Sequence, residues 1–307
     1  MEWHSLGLIF DTKKCKWINS HAWVPTVYKI KKDLFRVFFA GRDKYNHSNI
    51  GAFTISLEAP YNIISISKRP ILKKGRLGCF DDCASIPSHV IKLGKKYFMY
   101  YVGWTQGKSV PYISSLGLAT SNNLLSQFKR ASEAPIFGRT KDDPIFVASC
   151  FVEKSKKKFN MWYTSNKYWA KNNNIITPKY YLRLATSNDG INWIYKSEVM
   201  KFKSKNEIAI TRPWIVEYGK NKLMFYSYRG KNYKIGYAKI NKKKHLIRRD
   251  QKIKFFNNID KFDSSTREYS SIIKYKNKFF MFYNGNNFGE KGIGLAYITE
   301  DEFRKNL

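Results

Sequence analysis

Acidic residues are scarce in this chain: 23 Asp and Glu stand against 56 Lys and Arg over 307 residues, a formal net charge of +33. Such a field attracts polyanions, yet no RNP1-type stretch and no helix-turn-helix aims it at nucleic acid. The lysines run instead through KIKKD, KLGKK, EKSKKK and NKKKH, between apolar segments, where charge serves solubility. Cysteine is also sparse. Cys15, Cys79, Cys83 and Cys150 show no metal-ligand spacing, because Cys79 and Cys83 have neither a second pair nor a ligating His nearby. Free thiols in a reducing compartment are expected. No run reaches ~18 apolar residues, and the start MEWHSLGLIF has neither a basic n-region nor an apolar h-region. The expectation is a cytoplasmic protein with no membrane span, and no motif demands a metal ion or a cofactor.

Helical periodicity is nearly absent, and order lies in repetition. Runs ending in paired aromatics close on Phe39 in VFFAGR, Tyr101 in FMYYVG, Tyr163 in NMWYTS, Tyr226 in LMFYSY and Tyr283 in FMFYNG, at steps of 62, 62, 63 and 57 residues. A second ladder follows each: IGAFTIS around Gly51, LGLATS around Gly117, LRLATS around Leu184, IGYAKI around Gly236 and IGLAYI around Gly294. Self-similarity at a fixed period means copies of one supersecondary unit. The apolar segments are short, β-branched or aromatic, and bounded by Gly, Asn, Lys and Ser clusters, which reads as strands and turns. In one unit, 86–91, 97–102, 115–120 and 128–137 are four successive strands. Four strands per repeat and five repeats predict an all-β, five-bladed β-propeller of antiparallel blades, one domain over 1–307. Outer strands are expected at 67–74, 130–137, 196–202 and 249–255. The fifth unit lacks one, and the unassigned strand Ser5 to Phe10 is expected to complete it and close the ring.

Chemistry should lie where inner strands begin at the central funnel. Those starts fall near Ser20-His21, Asp81-Asp82, Asp143, Glu207 and Asp263, so four of five repeats bring a carboxylate to one rim. Like charges in a partly dry funnel raise one another's pKa and yield both a proton donor and an ionised partner. Paired carboxylates also serve glycosidic bond cleavage. Set against this, acids at strand starts cap turns or pair with lysines. Arg212, Arg267 and Glu268 flank the inner strands and could orient a carboxylate or grip an acidic group. His21 and His89 are donors, bases or channel-wall residues. Trp104 and Trp169, in loops after second strands, offer faces on which a sugar can stack, although aromatics in a Tyr- and Phe-rich chain more often pack.

With Asp142-Asp143-Pro144 opening the third repeat and Glu207 before the fourth inner strand, the chain resembles the five-bladed propeller glycosidases of the arabinanase/xylosidase and invertase/levansucrase types and the related mannoside phosphorylases. In those families a blade-one Asp is base or nucleophile, a blade-three Asp stabilises the transition state and a blade-four Glu is general acid. The resemblance implies Asp143 as stabiliser and Glu207 as acid. Blade one departs from it, reading NSHAWVPTV with His21 where Asp is expected, so that Asp82 or Asp81 would supply the base, or phosphate would replace water. The expected function is a carbohydrate-active enzyme cleaving or transferring a glycosidic or sugar-phosphate linkage of a sugar or glycan, with the basic balance pointing to an anionic, phosphorylated or nucleotide-linked sugar in surface-glycan metabolism. The alternatives are a non-catalytic glycan-binding propeller and a phosphate-dependent phosphorylase.

Overall fold

The structure, a computed structural model, describes residues 1–155, 158–173, 175–241, 244–256 and 261–307. It is built almost wholly of antiparallel ladders. After β1 (Glu2–Asp11) come β2 (Ser20–Lys31), β3 (Leu34–Arg42), β4 (Ser48–Ser56) and β5 (Ile63–Ile66), then β6 (Ala84–Leu93), β7 (Lys96–Gln106), β8 (Tyr112–Ser121) and β9 (Lys129–Arg130). Next are β10 (Val147–Ser155), β11 (Lys158–Asn172), β12 (Ile175–Ser187) and β13 (Ile194–Glu198), followed by β14 (Ala209–Tyr218), β15 (Asn221–Arg229), β16 (Tyr233–Ile240), β17 (Leu246–Arg248) and β18 (Lys254–Phe256). Last come β19 (Glu268–Tyr275), β20 (Lys278–Asn284) and β21 (Gly292–Thr299), and a short helix, Glu300–Arg304, behind a Thr299 capping box. Consecutive strands pair within each group, and single parallel pairs, Ser48 with Ala84 and Tyr180 with Ala209, link neighbouring groups. β1 pairs antiparallel with β21 and parallel with β18.

The middle strands β3 and β4 are buried along nearly their whole length, since each ladder is covered on both faces by its neighbours, and their sequences are accordingly continuous apolar runs rather than alternating ones. The leading strands β2, β6, β10, β14 and β19 lie against one another in sequence order, and β19 lies against β2.

All five leading strands carry a bulge opposite the anchor aromatic of the second strand. The register slips between Trp23 and Thr26, Pro87 and His89, Ala148 and Cys150, Thr211 and Trp214, and Glu268 and Ser271. An extra residue bends the strand and re-aims its side chains. Val24, Arg212 and Tyr269 sit at these bends with φ of 53°, 56° and 55°, a region that non-glycine residues adopt at a cost and that clusters at functional sites.

The outer strands are much shorter than expected. Segment 67–74 meets β4 through a bridge at Leu72, segment 130–137 contributes only the end of β9 and a bridge at Phe137, and 196–202 overlaps β13 as far as Glu198. In the fourth group β17 lies before 249–255, and the strand beginning at Lys254 pairs with β1 instead. Pro70 and Pro135 cannot donate to a ladder, and short edges resist pairing with other chains.

Candidate functional site

The acids at the strand starts turn sideways into the ladders. Asp81 accepts from the Tyr101 hydroxyl at 3.1 Å and is held by Arg130 at 2.7 Å. Asp143 accepts from Tyr163 at 2.7 Å, from the Ser165 hydroxyl and from Arg183 at 3.0 Å. Asp263 takes Tyr283 at 2.9 Å and Arg267 at 2.7 Å. In the fourth ladder Tyr226 donates to Asp250, and Arg248 bridges Asp250 to Glu207, meeting a Glu207 oxygen at 2.7 Å. Four anchor tyrosines therefore each end on an arginine-bound aspartate, and Asp81, Asp143, Glu207 and Asp263 are buried in these clusters. The glycine of the following strand makes room: a Cβ at Gly117 would stand 2.4 Å from the Tyr101 ring, and one at Gly236 2.5 Å from Asp250. In the third ladder the matching position is Arg183, opposite Tyr163, which supplies the guanidinium itself. The first ladder has Phe39 as anchor, with Trp17 stacked on it, and no acid.

What converges at the mouth is aromatic. Trp23, Val24, Ile86, Ala148, Ser149, Thr211 and Tyr269 come from the five leading strands, and Trp104, Tyr112, Phe146 and Tyr180, with Val102 and Thr164, complete the wall. Trp104 stacks on Tyr112 at 4.6 Å, Trp169 meets Tyr112 edge-on at 5.3 Å, and Trp23 joins Trp104 at 5.6 Å and Tyr269 at 6.1 Å. Tyr269 meets Tyr233 at 5.4 Å, Tyr233 and Tyr180 share a hydroxyl contact, and Phe146 closes the belt between Tyr180 and Tyr112. The enclosed space is about 50 Å³, room for a few waters and less than a sugar ring, so a ligand sits against the mouth. A larger open groove of about 740 Å³ lies between the second and third ladders, near Phe137, Arg139 and Asp189. None of its lining residues lines the mouth, so size does not locate the convergence of the leading strands.

Glu268 opens β19 next to Tyr269 of this belt. It is almost fully buried; one oxygen accepts from the Asn284 amide at 3.1 Å, and the other has no hydrogen-bond partner. Burial pushes its carboxyl up to about 8, against the pull of Arg229, Asn284 and the Phe288 N–H. Asp82, in the turn before β6, contrasts with it: burial works to raise it, but the Gly78 N–H, Thr105, Cys83 and Lys74 outweigh that and hold it below the usual carboxylate range. His21 lies at the start of β2. Burial, then Arg42, pushes it down to about 4, so the neutral ring accepts from Arg42 at 3.3 Å.

Glu268 makes stability depend on pH with a definite sign. Its folded value of about 8 exceeds the 4.5 of an unperturbed Glu. Between these values the folded chain keeps a proton that the unfolded chain has released, so this group costs increasing stability as pH rises through that window. Glu268→Gln removes the term, and the Tm of the variant should gain on wild type from pH 5 to pH 9. A pH-independent Tm difference in parallel melts would show that Glu268 titrates normally.

Arg212 and His89 do not face the mouth. Arg212 is fully buried and donates to Ser88 O, Pro25 O at 2.8 Å and Thr26 Oγ1 at 2.8 Å. His89 packs on Phe151 at 3.9 Å, and burial, then Arg212, pushes it down to about 3. Arg267 binds Asp263 and lies over Phe255. Sequence reasoning missed Arg42, Asn166, Arg229, Tyr180 and Tyr233. Arg42, Trp104, Asn166 and Arg229 each stand three residues after an anchor aromatic, which was a usable signal.

No model of a known protein family matches the chain. The chain is similar in structure to a glycosyl hydrolase from Bacteroides ovatus, with a TM-score of 0.69 at 17% identity, over 96% of this chain and 89% of that one. A structure described as from the GH130 family of mannoside phosphorylases gives 0.69 at 17% identity, over 93% and 86%. The Bombyx mori GH32 beta-fructofuranosidase BmSUC1 gives 0.60 at 16%, over 92% and 63%. These likenesses show the fold alone, an all-β propeller-type arrangement shared with those structures. In sequence, the "Uncharacterized protein Rv1502" of Mycobacterium tuberculosis (strain ATCC 25618 / H37Rv) is 31% identical over 303 residues, 97% of this chain and 99% of that protein. The protein MT1551 of strain CDC 1551 / Oshkosh matches to the same extent. The chain belongs to the family of these two mycobacterial proteins.

Proposed function

We propose that the five ladders are the blades of one closed propeller over residues 1–307, with β1 as the outer partner of β21, and that its mouth is the site of a carbohydrate-active enzyme of the glycoside hydrolase-like kind. The cyclic contact of the five leading strands supports the ring. One observation carries the function: an unbroken aromatic belt, suited to stacking on sugar faces, adjoins at Tyr269 a buried carboxyl that holds its proton near neutrality. Glu268 takes the acid role that the resemblance gave to Glu207, and Asp82 the role of base, a pair whose surroundings push their pKa values apart. Glu268 gives its proton to the leaving oxygen as the glycosidic C–O bond breaks, and Asp82 takes one from the attacking water. Glu268 lies beneath the turn at 286–289, whose Asn287 and Phe288 hold φ of 52° and 57°; lifting this turn opens the carboxyl to a sugar. Asp143 and Glu207 keep their arginines and hold the blades.

That arginine locking also favours a second reading, a glycan-binding propeller without turnover. Titrations of tryptophan fluorescence with a panel of oligosaccharides, together with release assays on aryl glycosides with and without inorganic phosphate, separate the two. Trp104→Ala should weaken binding about ten-fold, the effect of losing ~1.4 kcal/mol of stacking. Glu268→Gln should keep affinity and lose ~100-fold or more in rate. Binding without any release would leave the second reading; no binding at the mouth would end both.

A further inference from the structure

Resting on that sugar-site reading, we infer that the mouth takes a sugar bearing an oxyanion, carboxylate or phosphate, gripped by Arg42 and Arg229 with Asn166 between them in rim order. The three residues occupy one register position. Arg42, Trp104, Asn166, Arg229 and Asn286 each follow the anchor aromatic of a second strand by three; the first four ladders present theirs at one height, and Asn286 lies in the turn just beyond β20. Asn286 is engaged, accepting from Ser265 and Thr266 N–H and donating to Lys261 O.

The others are not so engaged. The ladder arginines Arg130, Arg183, Arg248 and Arg267 each close on a carboxylate. Arg42 and Arg229 have no such ion pair among the described residues; they lie over Trp23 at 5.6 Å and Tyr233 at 5.4 Å, and Arg42 meets the neutral His21. Asn166 is buried, and neither its amide nitrogen nor its carbonyl oxygen has a hydrogen-bond partner, an arrangement that wants a ligand's polar group. Glu268, the carboxyl beside Arg229, is uncharged over most of the neutral range, so it does not neutralise the guanidinium. Two planar guanidinium forks and an amide on one rim suit two-point contact with a carboxylate or phosphate. The net charge of +33 draws such a ligand in but does not choose its seat.

The test is a fluorescence titration at 0.15 M salt with glucose, galactose and mannose, their uronic acids and their 6-phosphates. At least one acidic sugar should bind roughly ten-fold or more tightly than its neutral parent, and whether acid or phosphate wins identifies the oxyanion. Arg42→Gln and Arg229→Gln should each abolish the preference, read as the ratio of acidic to neutral sugar affinity within each variant; Arg229→Lys, which keeps charge but not the fork, should restore part of it. Lys278→Gln, far along the ladder over Tyr297, should change nothing. Equal binding of acidic and neutral forms, or a preference that survives both arginine substitutions, overturns the inference and leaves the sugar site standing. Absence of binding by every sugar, with no effect of Trp104→Ala, defeats the sugar site itself.

Discussion

Removal of residues 1–11 should abolish cooperative unfolding of the protein rather than trim its stability. β1 carries two of the most deeply buried aromatics, Trp3 and Phe10, both without solvent exposure. Phe10 stacks on Phe53 at 4.9 Å and leans on Phe39 at 4.9 Å, both in the first ladder, while Trp3 meets Phe225 of the fourth edge-on at 6.1 Å. One strand thus joins its own ladder to both neighbours. Losing either ring costs ~3–5 kcal/mol through transfer and cavity terms, and together they reach the ~5–15 kcal/mol that holds a typical domain. The ladder to β21 is lost as well, leaving the Leu295 and Ile298 strand as an open edge prone to pairing with other chains. Circular dichroism melts and light scattering decide the matter. A truncated chain that stays monomeric and melts within a few degrees of wild type would show that β1 decorates the last ladder instead of completing it. Phe10→Ala alone should already lower Tm clearly.

How far the primary structure disclosed this site depends on the residue. The anchors at Phe39, Tyr101, Tyr163, Tyr226 and Tyr283 were visible because packing between ladders demands a large aromatic at one register, and the strands built on them follow. The small residue of the next strand was visible too, but its purpose was not: Gly117 and Gly236 clear space for a buried aspartate and phenol. The acids turn into the ladders for a physical reason. Asp81, Asp143 and Asp263 do precede the leading strands, yet each has an arginine waiting beside the ladder, from β9, β12 or the strand start at Arg267, with no common spacing to betray it. One clue was available. Four tyrosine anchors have an aspartate and the phenylalanine anchor Phe39 has none, as expected if the carboxylate exists to accept the phenol's hydrogen bond. The first ladder lacks such an acid because Phe39 has no hydroxyl to bind one. Glu268 was noticed as a flanking residue, but its burial and unpaired oxygen depend on Asn284 and the 286–289 turn, which no local pattern reveals.

Replacement of Arg212 by Met should lower stability by about 3–5 kcal/mol, the largest effect of any single substitution near the channel. Among the described residues Arg212 is a cation without a carboxylate partner, so its burial carries a penalty of several kcal/mol, and burial pushes its guanidinium down to about 9. Against that stand three hydrogen bonds from a charged donor, each ~1.5–3 kcal/mol, and the face of Trp214 at 5.4 Å. The acceptors decide the balance. Pro25 O, Thr26 Oγ1 and Ser88 O belong to bulged stretches of β2 and β6, where the ladder supplies no alternative donor. Met removes the charge penalty but orphans these buried oxygens at ~1–3 kcal/mol each, and it releases three leading strands from one another. Lysine should fare little better than Met, since a single ammonium cannot reach β2 and β6 in the fixed planes of a guanidinium fork. A fall in Tm on the order of 10 °C is expected for both, measured at pH 7, where the arginine is charged. An Arg212→Met protein as stable as wild type would mean that the buried cation contributes no net cohesion, and that the leading strands are held by their bulges and apolar contacts alone.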